Sequence, residues 1–228
     1  MRAVLKLGGS LLDDDTGRIL INMVRDYAKV VESIIKDEHS LVIIVGGGRP
    51  ARVFIAAARA LGASEAQCDW LGIKVARNNA ELFCAALGDI AYPKVVETLD
   101  ELETAIQFGK VVLMGGLNPG QSTNAVAALA AETVQADMLL NATNVDGVYD
   151  RNPKISGAKK LDVVTVDQLS EILTGSGTRA GEYKLFDPVA IRVVGRSKIP
   201  TVIFNGNDPQ NLRQVMKGMR SIGTRIVH

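Results

Sequence analysis

Lys6 stands two positions before Gly8-Gly9-Ser10, inside the otherwise apolar run Ala3–Leu7. A lysine in such a run is costly unless its ammonium faces an anion. A second glycine cluster, Gly46-Gly47-Gly48, follows the apolar run Leu41–Val45, with Arg52 shortly after it. A third, Gly115-Gly116, follows Val111–Met114 and leads into Leu117-Asn118-Pro119-Gly120-Gln121-Ser122-Thr123. Glycine lets backbone approach a ligand closely, and the free amides at a helix start attract phosphate. One such loop is commonly just a tight turn. Three on one edge of a sheet make an amide-lined trough able to hold several phosphates. Arg52 either brings a guanidinium to that trough or lies on a solvated helix face. The spacing is neither G-x-G-x-x-G nor G-x-x-x-x-G-K-[ST], which disfavours a dinucleotide dehydrogenase and a P-loop enzyme.

For the three loops to share an edge, the strands before them must be neighbours in a mainly parallel sheet. The pattern along the chain predicts this. Apolar runs at Ala3–Leu7, Leu41–Val45, Val111–Met114, Met138–Asn141, Thr201–Phe204 and Arg225–Val227 read as strands. LVIIV (Leu41–Val45) has no polar alternation and so predicts burial on both faces. Helical patterns fall between them, at Ile19–Lys36, Ala51–Leu61, about Gln67–Leu87, Ala125–Gln135, Asp167–Leu173, Val189–Ser197 and Asn211–Gly218. The alternation predicts one α/β domain over residues 1–228, a mainly parallel open sheet with helices on both faces, and ligands at the carboxyl ends of its strands.

Composition narrows the function classes. The chain has 228 residues, is 47% hydrophobic and 22% charged, and carries a net charge of +1. That balance argues against a general nucleic-acid binder, which needs a clustered basic excess. No secretory or membrane-spanning segment is expected, because Lys6 and the glycines interrupt the first apolar stretch and later runs are strand-sized. Cys68 and Cys84 lack CxxC spacing and the only histidines are His39 and His228, so no zinc site is expected and both thiols read as reduced core residues. A cytoplasmic location follows as an expectation.

The motifs KLGGS (Lys6–Ser10), VGGGRPAR (Val45–Arg52), GGLNPGQSTNAVAALAAE (Gly115–Glu132) and ATNVDGVYDRNP (Ala142–Pro153) resemble the amino-acid-kinase family. The first two are shared across that family. The last two are more specific and are similar to its UMP-kinase branch, in particular the shorter archaeal type. The resemblance extends to DPVAIRVVGRSKIPTVIFNG (Asp187–Gly206).

This resemblance implies an amino-acid-kinase-like αβα sandwich that transfers the γ-phosphoryl of MgATP to UMP, with an acceptor half of roughly 1–135 and an ATP half of roughly 136–228. Lys6 and Arg52 would be catalytic. Lys6, Leu7, Gly8, Gly9, Ser10, Gly48 and Arg52 would face the ATP phosphates, and Thr143, Asn144, Tyr149 and Asn152 would shape the adenosine pocket. On the acceptor side Gly47 would meet the UMP phosphate, Asp69 the ribose or uracil, and Leu117, Asn118, Pro119, Gly120, Gln121, Ser122 and Thr123 would close over the nucleotide. No protein metal ligand is implied, since magnesium enters with ATP. The family's hexameric assembly is implied as well.

Several readings stay open. Asp69 could be a helix cap, and Thr123 could cap the helix that follows it. Asp187 could organise the site through Lys6 or a magnesium-bound water, or simply cap the helix that begins at Pro188. Asn144 departs from relatives that carry a lysine or an aspartate there. Alternatives for the whole chain are a kinase of the same fold acting on a carboxylate, carbamate or isopentenyl phosphate, or a non-catalytic nucleotide-binding protein on the same scaffold.

Overall fold

The structure, a computed structural model, describes residues 1–151, 153, 155–175 and 185–228. Asn152, expected in the adenosine pocket, lies outside the described residues.

The chain opens with β1 (Arg2–Leu7), α1 (Ile21–Lys36), β2 (Ser40–Val45), α2 (Gly48–Ala60) and α3 (Glu65–Leu87). Then come α4 (Leu99–Ala105), β3 (Val112–Met114), α5 (Thr123–Thr133) and β4 (Met138–Thr143). The last part holds β5 (Val148–Tyr149), β6 (Lys160–Leu161), β7 (Val163–Thr165), α6 (Val166–Gly175), α7 (Pro188–Ser197), β8 (Thr201–Asn205), α8 (Gln210–Met216) and β9 (Thr224–Val227). The expected long elements are present with ends moved by a few residues. Four short ones were not expected: α4, β5, β6 and β7. α4 is only seven residues, yet its start is marked by Thr98, which accepts from the Glu101 amide at 3.1 Å.

Seven strands form one sheet in the order β3-β2-β1-β4-β8-β9-β7. Pairings from β3 across to β8 are parallel, while β9 runs antiparallel to β8. β1 therefore lies between β2 and β4, where successive connections leave in opposite directions. A crevice opens at such a switch point, beyond the carboxyl ends of the strands.

Side-chain alternation divides the core into two layers. Ala3, Leu5 and Leu7 of β1, Ile43 of β2 and Leu140 of β4 pack with α1, α3 and α8 through Val31, Phe83 and Leu212. Val4, Ile44 and Leu139 face the other way, onto the alanine-rich α5 and onto α7. The small α5 side chains Ala127, Ala128 and Ala131 are fully buried and let that helix lie close to the sheet. By the same alternation Lys6 and Asn141 belong to the α5 and α7 face, at paired positions of neighbouring strands.

Tyr27 ties the first layer to the crevice. Its ring is fully buried, and its hydroxyl donates to the Gly206 carbonyl at 2.7 Å, just past β8. Burial pushes this phenol well above its ordinary value, with Asp208 adding to the effect. Tyr27→Phe leaves the Gly206 carbonyl unpartnered and should lower stability by about 1–2 kcal/mol in urea denaturation, with an unchanged m-value.

Candidate active site

The three glycine loops lie side by side. Leu7 pairs with Val45 and Ile44 with Met114, so Gly8, Gly46 and Gly115 leave the sheet at nearly one level. A Cβ on Gly9 would fall 2.1 Å from the Gly48 nitrogen and 2.7 Å from the Gly46 carbonyl carbon. A Cβ on Gly115 would fall 2.6 Å from the Arg77 amide of α3. These positions need glycine because backbone passes backbone, a reason distinct from the ligand approach that the sequence suggested. Gly8 differs. Its hypothetical Cβ is 3.6 Å from Lys6 Nζ, so the ammonium lies over this glycine.

The second and third loops are held from behind by side chains that sequence reasoning did not single out. The Asp13 carboxylate accepts from the Arg49 amide at 2.9 Å and fixes the start of α2, where Gly48 has a φ of +65°. Buried Asn79, on an otherwise apolar face of α3, donates to the Gly46 carbonyl at 2.9 Å. Arg77 donates through Nε to the Gly116 carbonyl at 3.1 Å and pairs with Glu97 at 2.5 Å. A polar residue at a core-facing helix position, as with Asn79, was the available signal.

The Leu117–Thr123 loop contains a tight turn. The Gln121 amide donates to the Asn118 carbonyl at 3.2 Å, and Gly120 has a φ of +80°. Proline then glycine at the two central positions is the type II signature. Asp69 reaches across from α3, and its Oδ2 accepts from the Gly120 amide at 2.8 Å. It is not the helix cap; Ser64 is, with Gln67 completing a capping box. Nor does Thr123 cap α5. Ser122 does, its Oγ accepting from the Asn124 and Ala125 amides at 3.1 and 3.2 Å. The Ser122 hydroxyl in turn donates to Asp187. Asp187 caps α7 by accepting from the Val189 and Ala190 amides at 2.9 and 3.1 Å. The starts of α5 and α7 thus meet at one hydroxyl–carboxylate contact. Leu117 is buried in the α5-side core, whereas Asn118 and Gly120 are exposed.

On the far side of Lys6, Thr143 is half-buried and Asn144 exposed, joined by a 3.4 Å hydrogen bond from the Thr143 hydroxyl. Tyr149 is half-buried on β5, its phenol raised by burial and by neighbouring Asp146. Arg52 is exposed in the first turns of α2.

Lys6 has no salt-bridge or hydrogen-bond partner among the described residues. It is half-buried, but the protein around its ammonium removes enough water to bring its pKa from 10.5 down to about 8. A cation left unpaired in a crevice edged by helix starts is an anion-binding arrangement. The α/β switch-point fold and this crevice define a class: an anion-binding αβα protein.

The family follows. The Amino acid kinase family matches residues 1–205. This chain belongs to that family. It is 47% identical to the uridylate kinase of Methanothermobacter thermautotrophicus and 41% identical to that of Sulfolobus acidocaldarius, covering all of this chain and 99% of each relative. It superposes on the crystal structure of uridylate kinase from Archaeoglobus fulgidus with a TM-score of 0.87, at 40% identity and full coverage of both chains. The UMP kinase of Bacillus anthracis, at 22% identity and a TM-score of 0.80, shares the fold, with 99% of this chain and 95% of that chain covered.

The buried lysine opposes folding. Below pH 8 both folded and unfolded chains hold the proton, and the desolvation penalty is present in full. Between about 8 and 10.5 the folded chain releases the proton while the unfolded chain keeps it, so the Lys6 contribution becomes more favourable as pH rises. Lys6→Met should therefore stabilise the protein by about 1–3 kcal/mol at pH 7. That gain should shrink above pH 8, as read from urea midpoints at pH 7 and 9.5.

Proposed function

We propose that this chain transfers the γ-phosphoryl group of MgATP to UMP, giving UDP and ADP. The observation that carries the reading is the unpaired Lys6 ammonium at the switch point beside three glycine loops, in a chain 40–47% identical to curated uridylate kinases.

The nucleophile is a UMP phosphate oxygen, already anionic at neutral pH, so no general base is required. It forms a bond to the γ-phosphorus while the bond from that phosphorus to the β,γ-bridging oxygen breaks, and the electron pair leaves on ADP. Positioning and charge neutralisation then carry catalysis. Lys6 supplies the positive charge between the two nucleotides. The amides of Gly8, Gly9, Gly47 and Gly48 flank the transferring group.

Gly47 and the Leu117–Thr123 loop take the acceptor, with Asp69 positioning that loop through Gly120 and offering its second oxygen to the nucleoside. Leu7, Ser10, Gly48 and Arg52 take the ATP phosphates, and Thr143, Asn144, Tyr149 and Asn152 the adenosine. Magnesium arrives as part of MgATP. Both Asp187 oxygens are already engaged, which favours a metal held by phosphates and water. In this reading residues up to about 135 form the acceptor half and the remainder the ATP half of one domain.

A homohexamer in the cytoplasm is the proposed form. The exposed apolar side chains Val53, Phe54, Trp70 and Leu82 on α2 and α3 support self-association. Among the described residues no helix is long and apolar enough to cross a membrane.

A coupled ADP-release assay tests the reading with MgATP against UMP, CMP, dUMP, N-acetylglutamate and isopentenyl phosphate. Turnover with UMP is the expected result, whereas turnover with another acceptor alone, or none, would overturn it. Lys6→Ala should lower kcat by about 10²–10³-fold while retaining the fold by circular dichroism. Near-normal turnover in that variant would remove Lys6 from the mechanism.

A further inference from the structure

Asn141 is fully buried in β4, at the position paired with Lys6 across the β1–β4 ladder and on the same face of the sheet. Its Nδ2 donates to the Leu185 carbonyl at 3.1 Å. Asn124, in the first turn of α5, donates its own Nδ2 to that same carbonyl at 3.1 Å. The shared acceptor settles both amide orientations, because only NH2 groups can face a carbonyl oxygen. It also directs both Oδ1 atoms away from Leu185, and both are buried without a partner. A buried orphan acceptor is costly, so a native fold that retains one invites a donor not present in the free protein. The donor-rich side chain at the same level on the adjacent strand is Lys6, whose ammonium has no hydrogen-bond partner among the described residues.

We propose that Asn141 is a positioning residue for phosphoryl transfer: its Oδ1 receives the Lys6 ammonium, directly or across one trapped water, when nucleotide phosphates fill the crevice. An ammonium has three N–H bonds. Two reach toward the donor and acceptor phosphates, and the third needs a neutral anchor on the wall behind. A carboxylate at that wall would neutralise the cation, whereas a carboxamide oxygen directs it and leaves its charge available to the substrates. Asn124 stands beside Asn141 as the second carbonyl of that wall. Charged groups on the surrounding elements include Asp187 at the start of α7, Asp13 after the β1 loop, Arg49 and Arg52 on α2, Asp146 beyond β4, and, further along α5 and α7, Arg192 and the Glu132–Arg196 ion pair. Burial alone accounts for the lowered Lys6 value in the free protein.

The inference rests on the reading of Lys6 as the cation of the transfer site. The test is the pH dependence of kcat with MgATP and saturating UMP in the full-length protein. Asn141→Val removes the acceptor and should lower kcat about tenfold or more, with KM changed little, and move the alkaline limb to lower pH. Asn141→Thr, of the same shape but with a hydroxyl, should recover part of the loss. Asn141→Asp should move the alkaline limb to higher pH, because a carboxylate holds the ammonium protonated. An alkaline limb that stays in place in both the Val and Asp variants would overturn the proposal, as would equal losses in the Val and Thr variants. If a variant folds poorly, the pH dependence of Lys6 acylation in the folded fraction reads the same shift directly. An active Lys6→Ala variant would sink the reading beneath it. An inactive Lys6→Ala with unshifted Asn141 variants would sink this inference alone.

Discussion

An unneutralised cation in an interior strand of the sheet is the constraint from which the rest of the molecule follows. Lys6 cannot leave β1, because Leu5 and Leu7 on either side are fully buried against the α1 and α3 layer. No carboxylate pairs with it among the described residues, and burial has drawn its pKa down to about 8. The fold therefore keeps a charge at an energetic disadvantage, at the point where β1 separates strands that lead away in opposite directions. Such a group is stabilised when an anion arrives. The fold forgoes stability to keep the charge free, a common arrangement where a binding group must be ready before its ligand.

Around that charge, backbone amides supply the finer shaping, and four side chains brace the second and third glycine loops and the turn that follows the third. Asp13 holds the start of α2, Asn79 the β2 loop, Arg77 the β3 loop and Asp69 the turn at Gly120. Three of these four braces come from α3, a 23-residue helix that spans the back of the crevice. The first half of the site thus rests on one rigid rod. Its other flank rests on the paired starts of α5 and α7, linked through Ser122 and Asp187.

Much of this was legible in the sequence, and what was not shares a physical cause. LVIIV reads as a strand buried on both faces, and an apolar strand interrupted by Lys6 and ended by two glycines points toward a ligand once the other two glycine loops are set beside it. Period and punctuation carry that kind of information. β5, β6 and β7 are two or three residues long, too short for any period to register, and their pairing is decided by distant partners such as β9. The cap alternatives left open at Asp69 and Thr123 go to other residues for a similar reason, while Asp187 does cap its helix. Asp69, Ser64, Ser122 and Thr123 are all chemically competent caps, and only the backbone turn decides among them. Asn79 and Asn141 read as stray polar residues in apolar segments; their hydrogen-bond partners lie 33 and 44 positions away. The glycines were located correctly but partly for another reason, since Gly9 and Gly115 make room for neighbouring backbone before they make room for any ligand.

The contact of Gly9 with Gly46 and Gly48 has a bearing on how such a site can change over generations. The two loops interlock with no side chain between them to absorb a shift. An alteration in either is transmitted to the other undiminished, so the pair forms one hereditary unit although 36 residues of chain separate its parts. Variation in ligand preference would accordingly accumulate elsewhere, in the Pro119-Gly120 turn and the segment beyond β4, where exposed residues can be exchanged without displacing this joint. A chimera that borrows one of these loops from a distant relative would inherit half a lock, and would need both to turn.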